Sequence, residues 1–270
     1  MRSRSTTLPT ATAGHHRRSR SNPRQLVRRS GEHAALTDIG LRREVNQDAL
    51  LAGERLFAVA DGVGGGPSGD VAARLAVDAL SAGVASARTV GDLTALAAGA
   101  SAAVHDAGAA DPALTGMATT LTAGLFLPDG RLALVHAGDS RAYRLRDRAL
   151  EPLTQDHAFI AQLLSSGLIT AERAATHPLR NMLIRALGRD RDTDFDTSVI
   201  DVAPGDVFLF CTDGLTKMVD EDAIAAIAAD APSLDHAAVA LVRAANAAGG
   251  RDNVTVVLTA APAADVPLAA

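Results

Sequence analysis

Apolar residues along this chain follow two periods. Short runs alternate with polar or small residues, or stay apolar for four to eight positions, as strands do; longer stretches repeat every three to four positions, as amphipathic helices do. The strand pattern covers His33 to Ile39, Ala49 to Ala60 folded about Gly53-Glu54, and Thr119 to Val135 folded about Pro128-Asp129-Gly130. It returns at Ala142 to Leu145, Val199 to Val202, Val207 to Thr212 and Asn253 to Thr259. The helix pattern covers Asp70 to Ala87, Leu93 to Ala110, Ala158 to Leu164, Ala171 to Ala175, Asp220 to Ala229 and Leu234 to Ala247. Ser68 and Asp92 read as N-caps of the first two helices, and Gly167 and Gly249-Gly250 as stops. Strands arrive in runs separated by pairs of helices, not in βαβ alternation. That order predicts an antiparallel α+β fold with helices on the outer faces. No internal repeat is present.

Two of the buried-strand runs end in the same dipeptide. Leu56-Phe57-Ala58-Val59-Ala60 leads into Asp61-Gly62, and Val207-Phe208-Leu209-Phe210-Cys211-Thr212 leads into Asp213-Gly214. A third acid, Asp252, stands just before the run Val254-Thr255-Val256-Val257-Leu258. A carboxylate at the point where a strand leaves the core costs solvation unless a cation compensates it. Three such acids, distant in sequence, suggest one shared site of hard oxygen ligands, which favours Mg²⁺ or Mn²⁺ over zinc. A single Asp-Gly is more often a hairpin turn, and Asp129-Gly130 fits that description. Asp61-Gly62 instead opens the glycine-rich run Val63-Gly64-Gly65-Gly66-Pro67-Ser68-Gly69, and Asp213-Gly214 has no return strand at hairpin distance.

Composition narrows the class. A chain of 270 residues with 47% hydrophobic content can bury a large core, and 3% aromatic content makes that core aliphatic. The one cysteine, Cys211, rules out an internal disulfide and reads as an inert core thiol; a cytoplasmic setting is favoured. No apolar stretch approaches the roughly 18 residues of a membrane span, and no secretory core follows the basic start. Residues 1–30 hold eight arginines and no acid. They read as a disordered basic arm, before a single domain over 31–262 and a loose tail over 263–270. Of 26 basic and 31 acidic residues in the whole chain, removing those eight leaves the remainder near −13. An acidic body argues against nucleic acid as a partner.

Six blocks then meet a known family. Thr37-Asp38-Ile39-Gly40-Leu41-Arg42-Arg43-Glu44-Val45-Asn46-Gln47-Asp48 resembles the opening motif of the metal-dependent protein phosphatases of the protein phosphatase 2C type. So do Asp61-Gly62-Val63-Gly64-Gly65, Gly116-Met117-Ala118-Thr119-Thr120-Leu121 and His136-Ala137-Gly138-Asp139-Ser140-Arg141. Thr212-Asp213-Gly214-Leu215 and Gly250-Arg251-Asp252-Asn253-Val254-Thr255 complete the series, in the family's order. The likeness is greatest to compact bacterial members that oppose Ser/Thr kinases. It implies a sandwich of two antiparallel sheets flanked by helices on both faces. It also implies an enzyme that removes phosphate from phosphoserine and phosphothreonine in proteins, kinases and their targets among them; a cytoplasmic monomer is the expectation.

The same resemblance implies residue roles. Asp61 would bridge two Mg²⁺ or Mn²⁺ ions, the Gly62 carbonyl would bind one of them, and Asp213 and Asp252 would complete the pair. Asp139, with Asp213, would help hold a third, weaker ion. Asp48 would order metal-bound water from outside the inner set, and Arg43 would grip the substrate phosphate. A metal-activated water would attack phosphorus in line, with no phosphoenzyme. Arg42 reads as a solvated charge. Three positions depart from the pattern: Gln47 where many members have Glu, Val63 where eukaryotic members often have a general-acid His, and Asn181 where some bacterial members have Ser. His157 reads as a helix-start residue near the cleft rim. Two other functions stay open on the sequence. A non-catalytic phosphoprotein binder would tend to lose one of the inner acids, and Asp61, Asp213 and Asp252 are all retained. A nuclease or small-molecule phosphoesterase is disfavoured on the nucleic-acid side by the acidic body.

Overall fold

The structure, a computed structural model, describes residues 25–30, 33–63 and 68–262. The expected tail over 263–270, the first 24 residues of the expected arm, and Gly64 to Pro67 of the glycine-rich run lie outside the described residues. The strands are β1 (Gln25–Ser30), β2 (His33–Asp38), β3 (Asp48–Ala52), β4 (Leu56–Val63), β5 (Ala118–Thr119) and β6 (Leu121–Phe126). After them come β7 (Leu132–Ala137), β8 (Arg141–Arg146), β9 (Ala149–Pro152), β10 (Asp196–Ile200), β11 (Val207–Cys211) and β12 (Val254–Ala260). The helices are α1 (Gly69–Ala82), α2 (Val90–Ala110), α3 (Phe159–Ser165), α4 (Ala171–Ala175), α5 (Asp213–Thr216), α6 (Glu221–Asp230) and α7 (Leu234–Ala247).

One sheet runs β1-β2-β12-β11-β8-β9 and the other β10-β7-β6-β4-β3, with β5 attached to β4; neighbouring strands are antiparallel. Side chains on successive strand residues point to opposite faces, and this alternation separates three apolar layers. Phe57 and Val59 of β4, Phe208 and Phe210 of β11 and Val257 of β12 meet between the sheets. Leu56 and Ala58, one step out of phase on β4, pack under Ala72, Ala76 and Leu80 of α1. Leu209, Cys211, Val256 and Leu258 pack under Leu241, Val242 and Ala245 of α7. The result is the expected α+β sandwich with helices on both faces. The few phenylalanines are concentrated between the sheets, where Phe57 stacks on Phe210 at 6.4 Å and meets Phe126 edge-on at 5.8 Å. Alanines dominate the helix contacts, which lets helix and sheet approach closely. Among the described residues no helix is long and apolar enough to cross a membrane.

Local detail departs from the sequence reading at four points. The sequence predicts a disordered arm through residue 30, but Gln25–Ser30 pairs with β2, with Leu26 opposite Leu36 and Val27 opposite Ala35. β2 would otherwise end its sheet in a row of unpaired backbone groups, and arm composition does not register such an edge. Ser68 does occupy the N-cap position of α1, but its side chain makes no cap bond and its hydroxyl donates instead to the Ala113 carbonyl at 3.2 Å. α2 begins at Val90 behind a capping box in which Thr89 is the cap and Asp92 its reciprocal partner. The hairpin that adds β9 turns on Asp147 and Arg148, both at positive φ (50° and 67°), without the Asn-Gly signature that would reveal it.

Phe210 is fully buried, and an added Cβ on Gly124 would lie 2.5 Å from its ring, so the ring fills the space that Gly124 leaves open. Phe210→Ala is expected to cost about 3–5 kcal/mol in chemical denaturation, against about 1 kcal/mol for Thr89→Ala at the α2 cap.

Candidate active site

The inward-facing rows that build the inter-sheet core turn polar at one end of the sandwich. On β4 the row Phe57, Val59 continues to Asp61; on β11 the row Phe208, Phe210 continues to Thr212; on β12 the row runs from Val257 through Thr255 to Asn253. β3 contributes Asp48, directly opposite Asp61 in the register of β3 and β4. Asp213 opens α5 one residue after Thr212, Asp252 precedes β12, and Asp139 lies between β7 and β8. Strand alternation therefore carries acids from both sheets to one place. Arg43, Asp61, Gly62, Asp139, Asp213 and Asp252 line a single cleft of about 560 Å³. Asp48 does not line the cleft itself; it stands opposite Asp61 with one carboxylate oxygen accepting from Thr212 Oγ1 at 2.9 Å and Thr255 Oγ1 at 2.7 Å. A larger apolar concavity of about 1020 Å³ lies between α6 and α7, away from these acids.

Backbone approach fixes the two Asp-Gly positions. A Cβ on Gly62 would collide with the Gly69 carbonyl, and one on Gly214 with the Asn253 carbonyl. Only glycine lets these chains close so tightly around Asp61 and Asp213. Asn253, buried, holds the loop that carries Arg43: its Oδ1 accepts from Gln47 N at 2.9 Å, and its Nδ2 donates to the carbonyls of Ile39 and Val45, each at 3.0 Å. The Asp139 loop is held from its other side. Arg141 makes a two-point contact to Asp156 at 2.7 and 2.8 Å, and the backbone N–H groups of His157 and Gly138 donate to the Gly138 carbonyl and to His157 Nδ1. His157 is thus a buried brace just before α3 and does not line the cleft.

Burial and mutual repulsion govern the charges. Burial, then the neighbouring acids Asp48, Asp213, Asp139 and Asp252, push the Asp61 carboxyl well above its usual range. Burial pushes Asp48 up to about 7, offset in part by the two threonine hydroxyls. Burial and Asp213 push Asp139 up to about 6. Two protein cations answer this field. Arg43 Nη2 donates to Asp252 Oδ2 at 2.7 Å, a bond that raises the guanidinium further. Lys217 Nζ bonds Asp139 Oδ2 at 3.2 Å and contacts Asp213 Oδ2 more closely still. Arg42 is exposed and outside the cleft; Gln47, Val63 and Asn181 are on its wall. Cys211 is buried with its thiol pushed up to about 12 by burial, as an inert core residue should be.

Sequence reading passed over Lys217 and Asn253. Asn253 stands in a motif block whose charged member drew attention first, and Lys217 carries no local mark of its partner 78 residues away.

Among the described residues no three His, Cys, Asp or Glu side chains form a ready-made cage around one point. The donor chemistry nonetheless fits a hard divalent cation. The acids offer oxygen only, and Asp48 Oδ1 and Asp213 Oδ1 are buried with no hydrogen-bond partner.

The sequence profile described as protein phosphatase 2C matches residues 42–247. The serine/threonine protein phosphatase PstP of Mycobacterium tuberculosis is 42% identical over 230 residues, which cover 84% of this chain and 44% of PstP. The chain therefore spans under half the length of that relative. The serine/threonine phosphatase stp of Listeria monocytogenes is 35% identical over 236 residues, 82% of this chain and 92% of that protein. A crystal structure of the catalytic domain of PstP in complex with two manganese ions superposes with a TM-score of 0.75 at 37% identity, covering 84% of this chain and 96% of that one.

The Asp48 carboxyl binds a proton in the folded chain between its usual pKa of 3.8 and about 7, where the unfolded chain has released it. Stability of the metal-free protein falls as pH rises across that window. Asp48→Asn removes the penalty. In chelator-treated samples this variant should exceed wild type by on the order of 2–4 kcal/mol at pH 8, with the difference closing toward pH 4. Thermal melts across pH check it.

Proposed function

The chain belongs to the protein phosphatase 2C family, and from that premise we propose that it is a Mg²⁺- or Mn²⁺-dependent phosphatase acting on phosphoserine and phosphothreonine in proteins. The observation that carries the reading is the convergence of Asp61, Asp139, Asp213 and Asp252 on one open cleft beside Arg43. In this reading Asp61, Asp213, Asp252 and the Gly62 carbonyl would hold two ions, and Asp48, opposite Asp61, would act from outside that inner set. Bound there, the ions supply a water of lowered pKa and a clamp on the phosphoryl oxygens.

The chain's own residues do the rest. Arg43 offers a planar fork suited to a phosphate dianion, and Asp252 orients it. Asn253 keeps its loop at the cleft edge. Val63 offers no proton to the leaving alkoxide, so that proton would come from water or another group in the cleft. A polypeptide substrate is supported by the rim: exposed Leu41 and Val45 flank Arg43, and exposed Leu179 and Met182 flank Arg180 and Asn181 of the cleft wall. Exposed apolar side chains grouped around a site mark contact with a macromolecule. Because every named residue comes from one chain, a monomer suffices. Its substrates are products of Ser/Thr kinases, so the enzyme works opposite such kinases in the cytoplasm.

Release of phosphate from a phosphothreonine peptide should require Mn²⁺ or Mg²⁺ and stop with chelator. Asp213→Asn should lower turnover by about 100-fold or more while leaving the fold intact. Arg43→Ala should lower kcat/KM on the order of 10- to 150-fold, Arg43→Lys should recover part of it, and Arg42→Ala should change little. A folded, Mn²⁺-loaded chain that leaves every phosphopeptide intact would overturn the reading.

A further inference from the structure

Lys217 stands where its charge is tied to two acids from different parts of the fold. Asp213 begins α5 and Lys217 follows that short helix, its backbone N–H donating to the Asp213 carbonyl at 2.8 Å. One helical turn separates them, the spacing at which side chains meet on a common face. The Lys217 stem then spans to the β7–β8 loop, where Nζ bonds Asp139 Oδ2 at 3.2 Å. Both carboxylate side chains are 11% exposed, and the lysine side chain is 45% exposed. The ammonium therefore bridges two largely buried acids from the solvent side. Asp139 and Asp213 are the pair that the family resemblance assigns to a third, weaker ion.

We propose that Lys217 is a tethered cation that occupies the place between Asp139 and Asp213, so that this chain binds two divalent ions readily and admits a third only by displacing the ammonium. The proposal rests on the metal-dependent reading above and adds to it the number of ions held. Its physical basis is competition. An ammonium is a compact point charge with three donors, sufficient to bond both carboxylates at once. It is held on the same helical turn as one of its partners, so it needs no recruitment from solution. A divalent ion carries twice the charge but must shed water to enter, which Mg²⁺ does reluctantly.

The test counts ions rather than turnover. Chelator-treated full-length wild type, Lys217→Gln, Lys217→Arg and the double variant Lys217→Gln/Asp139→Asn are titrated with Mn²⁺, with bound ions read by calorimetry and free Mn²⁺ by its paramagnetic resonance signal. Wild type is expected to bind two ions, with a third about 10- to 150-fold weaker than in Lys217→Gln, the range that loss of charge-assisted hydrogen bonds produces. Lys217→Arg should behave as wild type, and the double variant should lose the third ion that Lys217→Gln gains. Equal third-ion affinity in wild type and Lys217→Gln overturns the proposal, as does a third ion that survives Asp139→Asn. Two ions in every variant with no third in any overturns it and leaves the phosphatase reading standing. No bound Mn²⁺ in any of the four overturns both.

Discussion

Five carboxylates, those of Asp48, Asp61, Asp139, Asp213 and Asp252, are held together at one end of a closed sandwich, and their repulsion is the constraint around which the molecule is arranged. Burial and mutual charge push three of them, Asp48, Asp61 and Asp139, far from their usual acidity. An isolated chain would relieve that field by opening. The sandwich does not open, because the strands that present the acids are the same strands that build the core. Leaving the site would pull Val59, Phe210 and Val257 out of contact between the sheets. Apolar burial along these rows, at about 25 cal/mol per Å², sustains the electrostatic cost at their ends.

Cations are the other half of the arrangement. Two come from the chain, Arg43 on Asp252 and Lys217 across Asp139 and Asp213. They answer only part of the charge, and buried oxygens of Asp48 and Asp213 remain without protein partners. A site of this kind attracts divalent ions for the reason that makes it costly without them: hard oxygens, preorganised and desolvated, lose little on binding. The same field holds Arg43 at the edge of the cleft, where a phosphate dianion would meet a guanidinium already oriented.

The braces around the site show how narrow the tolerances are. Asn253 makes three hydrogen bonds to the Arg43 loop, and the Arg141–Asp156 contact fixes the return from the Asp139 loop. Gly62 and Gly214 let backbones close to distances no other residue permits. Asn253, Arg141 and the missing Cβ of each glycine act at one remove from the chemistry. Each sets the position of a group proposed to meet an ion or the phosphate.

Sequence alone determined the period of most of the long elements, hence the layers. It also marked the strand ends where Asp61, Asp213 and Asp252 leave the core; α7 and α4 match their sequence bounds residue for residue. That information is local: alternation of Phe57 and Ala58, or Asp before Gly, is visible in a few neighbouring positions. Tertiary structure alone decided which charges meet. Lys217 lies 78 residues from Asp139, and Asn253 lies 206 from Gln47; neither pair has a local signal, because each depends on two loops being brought together by strands from different runs. The pairing of Gln25–Ser30 on β2 belongs to the same class. Backbone hydrogen bonds on an open sheet edge accept many sequences, so composition cannot announce them, whereas the alternation that buries one face of a strand admits few and is written in the chain itself.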